Sequence, residues 1–134
     1  MTYIIYLEVL FHFQGHRIGQ VHVVFSLPPS AIALWFPPNL NISPPKYLAY
    51  VEWFTPFSSS PDPNHGLFKV KRSFKNRQRL ATIVPVQNIH RSAHLFPHFG
   101  TIAPREWKSS TVLDDCTIFF VNSTSDRHMY AIFI

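Results

Sequence analysis

The sequence predicts an all-β domain, either a small, partly open barrel or a compact sandwich of seven or eight short strands with long Pro-rich loops. Three observations carry that expectation. Apolar residues recur with a period of two over several short stretches, which is strand spacing. Turn-forming clusters such as "SSSPDPNHG" at 58–66 separate those stretches. The chain also holds 12 prolines in 134 residues, and proline removes helix donors and clashes with the preceding turn.

Taken in order, residues 3–13 read as an apolar strand whose conspicuous charge is Glu8, and Gly15 supplies a turn. "RIGQVHVVFS" at 17–26 alternates, with Ile18, Gln20, His22 and Val24 on one side and Val21, Val23 and Phe25 on the other. Pro28 and Pro29 stop it. "SAIALWF" at 30–36 predicts a short helix capped by Ser30 and ended by Pro37 and Pro38. In "KYLAYVEWFTPF" at 46–57, Tyr47, Ala49, Val51 and Trp53 share one face and Leu48, Tyr50, Glu52 and Phe54 the other. Both faces are largely apolar, as expected of a central strand covered on both sides.

"LFKVKRSF" at 67–74 places Phe68, Val70 and Phe74 inward and Lys69 and Lys71 outward. "RLATIVPV" at 79–86 and "RSAHLFPHF" at 91–99 read as further strands. Residues 100–115 have weaker periodicity and predict a long loop or one short helix. "TIFFV" at 117–121 and "MYAIFI" at 129–134 then flank the turn "NSTSD". The length suits a single domain over 1–134, with 1–16 as an additional N-terminal strand.

Composition limits the function classes. A single cysteine, Cys116, rules out a disulfide framework or a Cys-rich zinc module and suits a reducing compartment, nuclear or cytoplasmic. The apolar start "MTYIIYLEVLFHF" lacks a basic leader and is short for a bilayer span, so no membrane partner is expected. No small-molecule substrate is evident. The net charge of +5 and pI near 9.7 favour polyanionic partners.

The densest charged feature is "KVKRSFKNRQR" at 69–79. Lys69, Lys71, Arg72, Lys75, Arg77 and Arg79 make up half of the 12 Lys and Arg, with no acid among them. As a two-stranded ribbon they form one positive edge suited to phosphate backbones. The same pattern also fits a solvated hairpin that guards a sheet edge against aggregation.

Other groups point less clearly to chemistry. His90, His94 and His98 recur every fourth residue, which on a strand spreads them about 13 Å apart, too far to share one ion. Glu106, Asp114 and Asp115 are the nearest approach to a metal-dependent acid cluster. In an extended chain, however, the two neighbouring aspartates point apart. Cys116 beside these acids has a disfavoured thiolate. Glu52 is expected to pair with an arginine on a neighbouring strand. Trp53, Phe54, Phe57, Trp107 and Tyr130 fit a core, with a stacking platform as the alternative. No catalytic residue, metal or cofactor is expected.

Four blocks carry a wider resemblance: "PPKYLAYVEWFTPF", "PDPNHGLFKVKRSF", "RLATIVPVQNIHRSAHLFPHFG" and "APREWKSSTVLDDCTIFFVNSTSDRHMYAIF". In order and rough spacing they resemble the carboxy-terminal segment of the Plavaka-type transposases, CACTA-group DNA transposons of mushroom-forming fungi. The resemblance runs from about residue 17 to the end. It implies a domain lying beyond a ribonuclease-H-like catalytic core, and none of that core's acidic metal ligands has a counterpart here. The domain it implies is a non-catalytic accessory to a transposase, contacting DNA, the catalytic core, chromatin or another protein. An inert transposon remnant is also compatible with the resemblance.

Overall fold

A computed structural model describes residues 4–8 and 16–122. The strand expected over 129–134, the turn residues 123–126, Gly15 and Tyr130 lie outside the described residues, as does the side chain of His90.

The strands are β1 (Ile4–Glu8), β2 (His16–Phe25), β3 (Leu48–Trp53), β4 (Phe68–Lys71), β5 (Phe74–Lys75), β6 (Gln78–Arg79), β7 (Ala81–Pro85), β8 (Ile89–Pro97) and β9 (Ile118–Asn122). Among the described residues two short α-helices join them, α1 (Pro29–Trp35) and α2 (Val112–Asp115), with 3-10 turns at Pro38–Leu40 and Val86–Asn88. The all-β expectation therefore holds. Seven strands hydrogen-bond in the order β4-β9-β8-β1-β2-β3-β7, and β5 and β6 form a separate hairpin. Every ladder is antiparallel. β8 is the hinge of this order: its first half pairs with β1 and its second half, from His94 to Pro97, with β9.

The order curls because the chain beyond β3 changes partner. The Thr55 amide donates to the Lys71 carbonyl at 2.7 Å, and the Ser58 amide donates to the Lys69 carbonyl at 3.1 Å. The Ser73 amide donates to the Trp53 carbonyl at 2.9 Å, and Phe54 and Arg72 form a bridge. These bonds bring β4, the end of the order, back against the continuation of β3. The curl is not a closed barrel of strands, since one bridge and a few bonds take the place of a ladder. It satisfies most of an otherwise bare sheet edge.

Inside the curl lies the main core. Ile18, Phe54, Val70, Ala93, Phe119 and Val121 come from the sheet, and Leu113 and Cys116 come from α2 and its end. Phe54 and Phe119 meet edge-to-face at 5.7 Å between centroids and 88° between planes, a favoured aromatic geometry. A second cluster of Ala49, Val51 and Trp53 occupies the opposite face of β3, against Val21, Leu80, Val84, Val86 and Ile89. There the Trp53 indole N–H donates to Thr82 Oγ1 at 2.7 Å.

Three local expectations are corrected. β3 is central in pairing but covered on one face only along part of its length, because Tyr50 is exposed while Ala49 and Val51 are buried. Helix α1 starts at Pro29 after Pro28 and has no side-chain cap, so Ser30 lies inside its first turn. Phe74, expected inward, is 61 % exposed. It belongs to the β5–β6 hairpin, which leaves the sheet after Ser73, so the period-two parity of β4 no longer reports on burial there.

Candidate functional site

The basic stretch 69–79 is not one ribbon. β4 pairs with β9, and the hairpin proper is confined to β5 and β6, with Phe74 opposite Arg79 and Lys75 opposite Gln78. Its two-residue loop, Asn76 and Arg77, has φ of +52° and +64°. Two consecutive positive φ values mark the type I′ hairpin turn, whose twist matches the strands it joins. Asparagine tolerates that conformation, whereas arginine incurs a steric cost of about 1–2 kcal/mol. Arg77→Gly is thus expected to raise stability by about 0.5–1 kcal/mol in urea unfolding, after allowance for the entropy glycine adds to the unfolded chain.

The six basic side chains divide into two groups. Lys69, Lys71, Lys75 and Arg77 are exposed, and none of them makes an ion pair among the described residues. Arg72 and Arg79 depart from the expected outward edge, Arg72 because it is buried and Arg79 because its guanidinium is paired with Glu52 and Asp114, its side chain still 30 % exposed.

Arg72 is 7 % exposed. Its Nε and Nη2 donate to the Leu113 carbonyl at 3.4 and 3.3 Å, satisfying a C-terminal carbonyl of α2 that has no helical partner. Nη2 also donates to Gln20 Oε1, and the guanidinium lies over the Phe54 ring at 4.5 Å. Nη1 sits 3.6 Å from Glu52 Oε2 without a hydrogen bond. Burial, followed by the charge of Arg79, pulls the Arg72 guanidinium below its ordinary value, and Glu52 and Asp114 oppose that shift.

Arg79 binds Glu52 Oε2 at 3.1 Å and Asp114 Oδ1 at 2.8 Å. Burial alone would lower it, but the bonds and charges of the two carboxylates together outweigh burial and hold it above its ordinary value. Glu52 thus meets its expected arginine twice over, and His22 Nε2 lies 3.1 Å from the same oxygen. The two arginines and two carboxylates cancel in charge. Their geometric effect is to fasten α2, the plug of the main core, to β3 and β6.

The remaining candidates occupy separate places. Asp114 and Asp115 belong to α2 rather than an extended chain, and Glu106 is exposed in the preceding loop. Among the described residues no three His, Cys, Asp or Glu side chains come together as a metal-binding group. Cys116 is buried, with its thiol donating to the Ile118 carbonyl at 3.0 Å. Trp53 and Phe54 are core, and Phe57 and Trp107 pack against the core at partial burial.

Sequence reasoning did not find the outer face of β4, β9 and β8. Register places Lys69 beside Phe120 and Phe120 beside Phe96, in one row across three strands. Lys71 and Ile118 pair in the next row, and the His98 amide donates to the Ile118 carbonyl at 2.8 Å. The Lys69 ammonium lies 5.6 Å from the Phe120 centroid, and the His65 and His98 rings stand edge-on to it at 4.4 and 5.2 Å. His94 stacks on Phe96 at 5.2 Å and 29°, leaving Phe96 42 % exposed. Asp62 lies beside this face, 3.5 Å from His65 Nε2. The Asn64 amide, with the charges of His65 and Lys69 and the His65 amide, holds its carboxyl below the ordinary value, against desolvation, which raises it.

Comparison of the chain with protein-family models, curated proteins and solved structures yields no match in any of the three. Among the described residues no helix is long and apolar enough to cross a membrane.

Proposed function

We propose that the chain is a non-catalytic accessory domain of a transposase-derived protein that contacts nucleic acid without sequence readout. Its phosphate contacts are Lys69, Lys71, Lys75 and Arg77. The observation that carries this reading is the division of the basic stretch: two arginines face carboxylates of the chain itself, Glu52 and Asp114, while four cations stand in solvent without an ion pair among the described residues. Unpaired surface cations on strands and a tight turn reach phosphates and neutralise them, and such contacts position a protein without specifying bases. The resemblance of the four sequence blocks to the carboxy-terminal segment of Plavaka-type transposases supports an accessory place beside a separate catalytic core. It also suits a nuclear or cytoplasmic setting.

The test is a titration of the purified chain with a random-sequence DNA duplex at several salt concentrations. Four phosphate contacts predict micromolar binding whose log–log salt slope is about −3 to −4. No binding at low salt, or a slope near zero, would overturn the reading.

A second reading, docking on a transposase core or on chromatin, draws on another surface. Val23, Tyr50 and Ile83 fall in register across β2, β3 and β7 and are 50, 38 and 57 % exposed. Leu34 and Trp35 of α1 are 75 and 60 % exposed. Exposed apolar side chains in a contiguous row are a common mark of protein interfaces. Association with the catalytic region that persists at high salt would favour this reading over the first.

A further inference from the structure

We infer that the outer face of β4, β9 and β8 is a binding platform for single-stranded nucleic acid, with Phe96 and His94 stacking on unpaired bases and Lys69 and Lys71 holding the adjoining phosphates. The inference rests on the nucleic-acid reading above and adds the form of the ligand.

Alternation along β8 turns Ala93 and Leu95 inward and leaves His94, Phe96 and His98 exposed. In consequence Phe96, stacked on His94, keeps 42 % of its surface exposed on the side away from the main core. Its row neighbour Phe120 is only 8 % exposed because Lys69, His65 and His98 cover it. The face therefore combines exposed rings with cation-bearing groups on one side of the sheet. Asp62 lies beside it, and its carboxylate already accepts the Asn64 amide and faces His65.

This combination suits a polyanion whose charges alternate with flat apolar rings. A duplex offers such a face its backbone only, because its bases are stacked on one another. A single strand offers both parts: bases stack on exposed side chains while phosphates meet the cations. Lys69 and Phe96 are two strand spacings apart, about 10 Å, so one strand of nucleic acid spans both. Stacking tolerates any base, which agrees with a domain that reads no sequence.

The experiment measures anisotropy with two probes on the full chain: a labelled oligothymidylate of about 12 nucleotides and a random-sequence duplex of equal length. Phe96→Ala is expected to weaken single-strand binding about 5- to 100-fold and to leave duplex binding unchanged, whereas Phe96→Trp retains it. Phe96→Leu, which keeps apolar volume but no ring, serves as a second variant and is expected to behave as Phe96→Ala with an unaltered melting temperature. The combined variant Lys71→Glu/Lys75→Glu/Arg77→Glu weakens both probes.

Unchanged single-strand affinity in Phe96→Ala and Phe96→Leu would overturn the platform. If the lysine–arginine variant still loses duplex binding, the basic-edge reading survives that result. If that variant keeps its duplex affinity while both it and Phe96→Ala lose single-strand affinity, the platform stands and the basic-edge reading falls; normal single-strand binding by that variant would overturn the role given to Lys71.

Discussion

Phe54→Ala is expected to destabilise the protein by about 3–5 kcal/mol, the largest loss from any single truncation considered for this fold. Phe54 is fully buried, and its ring is shared among three features. It meets Phe119 edge-to-face, lies under the Arg72 guanidinium, and occupies the position where the chain leaves the β3–β7 ladder for β4. Truncation leaves a cavity in the main core and removes the aromatic surface over which Arg72 is held. Urea unfolding of Phe54→Ala, Phe119→Ala and the double variant measures the coupling between the rings, expected at about 0.5–1.5 kcal/mol. Additive losses would show that the rings pack independently.

Glu52→Ala is expected to cost about 3 kcal/mol, at the low end for breaking a buried charge pair because the carboxylate keeps 16 % side-chain exposure. Its removal leaves Arg72, whose side chain is 5 % exposed, without the facing anion, and deprives Arg79 and His22 of a partner. Arg79 retains Asp114, so the damage centres on Arg72. Urea unfolding of Glu52→Ala beside Glu52→Gln/Arg72→Met separates the terms. The double variant should recover much of the loss, since a neutral pair of similar volume leaves no charge uncompensated. A loss within about 0.5 kcal/mol for Glu52→Ala would mean that water, rather than the protein, balances Arg72.

The fold was legible in the sequence wherever burial follows alternation within one strand. Val70 inward with Lys69 and Lys71 outward follows from the pleat, and Phe54 lies in the core as expected. Arg72 was not read correctly: it shares parity with the inward Val70, but its charge placed it on the expected outward edge. The Leu113 carbonyl and Glu52 make an inward arginine tolerable. Phe74 shows the opposite case: parity was extended past the point where the chain leaves the sheet.

The outer face of β4, β9 and β8 was not legible because it is made by non-local register. Lys69, Phe120 and Phe96 lie 51 and 24 residues apart in sequence, and only the pairing of β9 with both β4 and β8 sets them in one row. Likewise, nothing local joins Arg79 to Asp114, whose contact depends on where α2 plugs the curl. Glu52 and its arginines were an exception. A lone acid in an apolar strand leaves few ways to be satisfied, and a cation on an adjacent element is the usual one.

The four solvent-facing cations are proposed to bind phosphate, while Arg72 and Arg79 hold the fold together. The salt slope of duplex binding for Lys71→Glu/Lys75→Glu/Arg77→Glu beside the unaltered chain tests this most directly. Loss of three of four contacts predicts a slope shallower by about 2.7, weak binding at every salt concentration, and an unchanged urea midpoint. An unaltered slope and affinity in that folded variant would contradict the account.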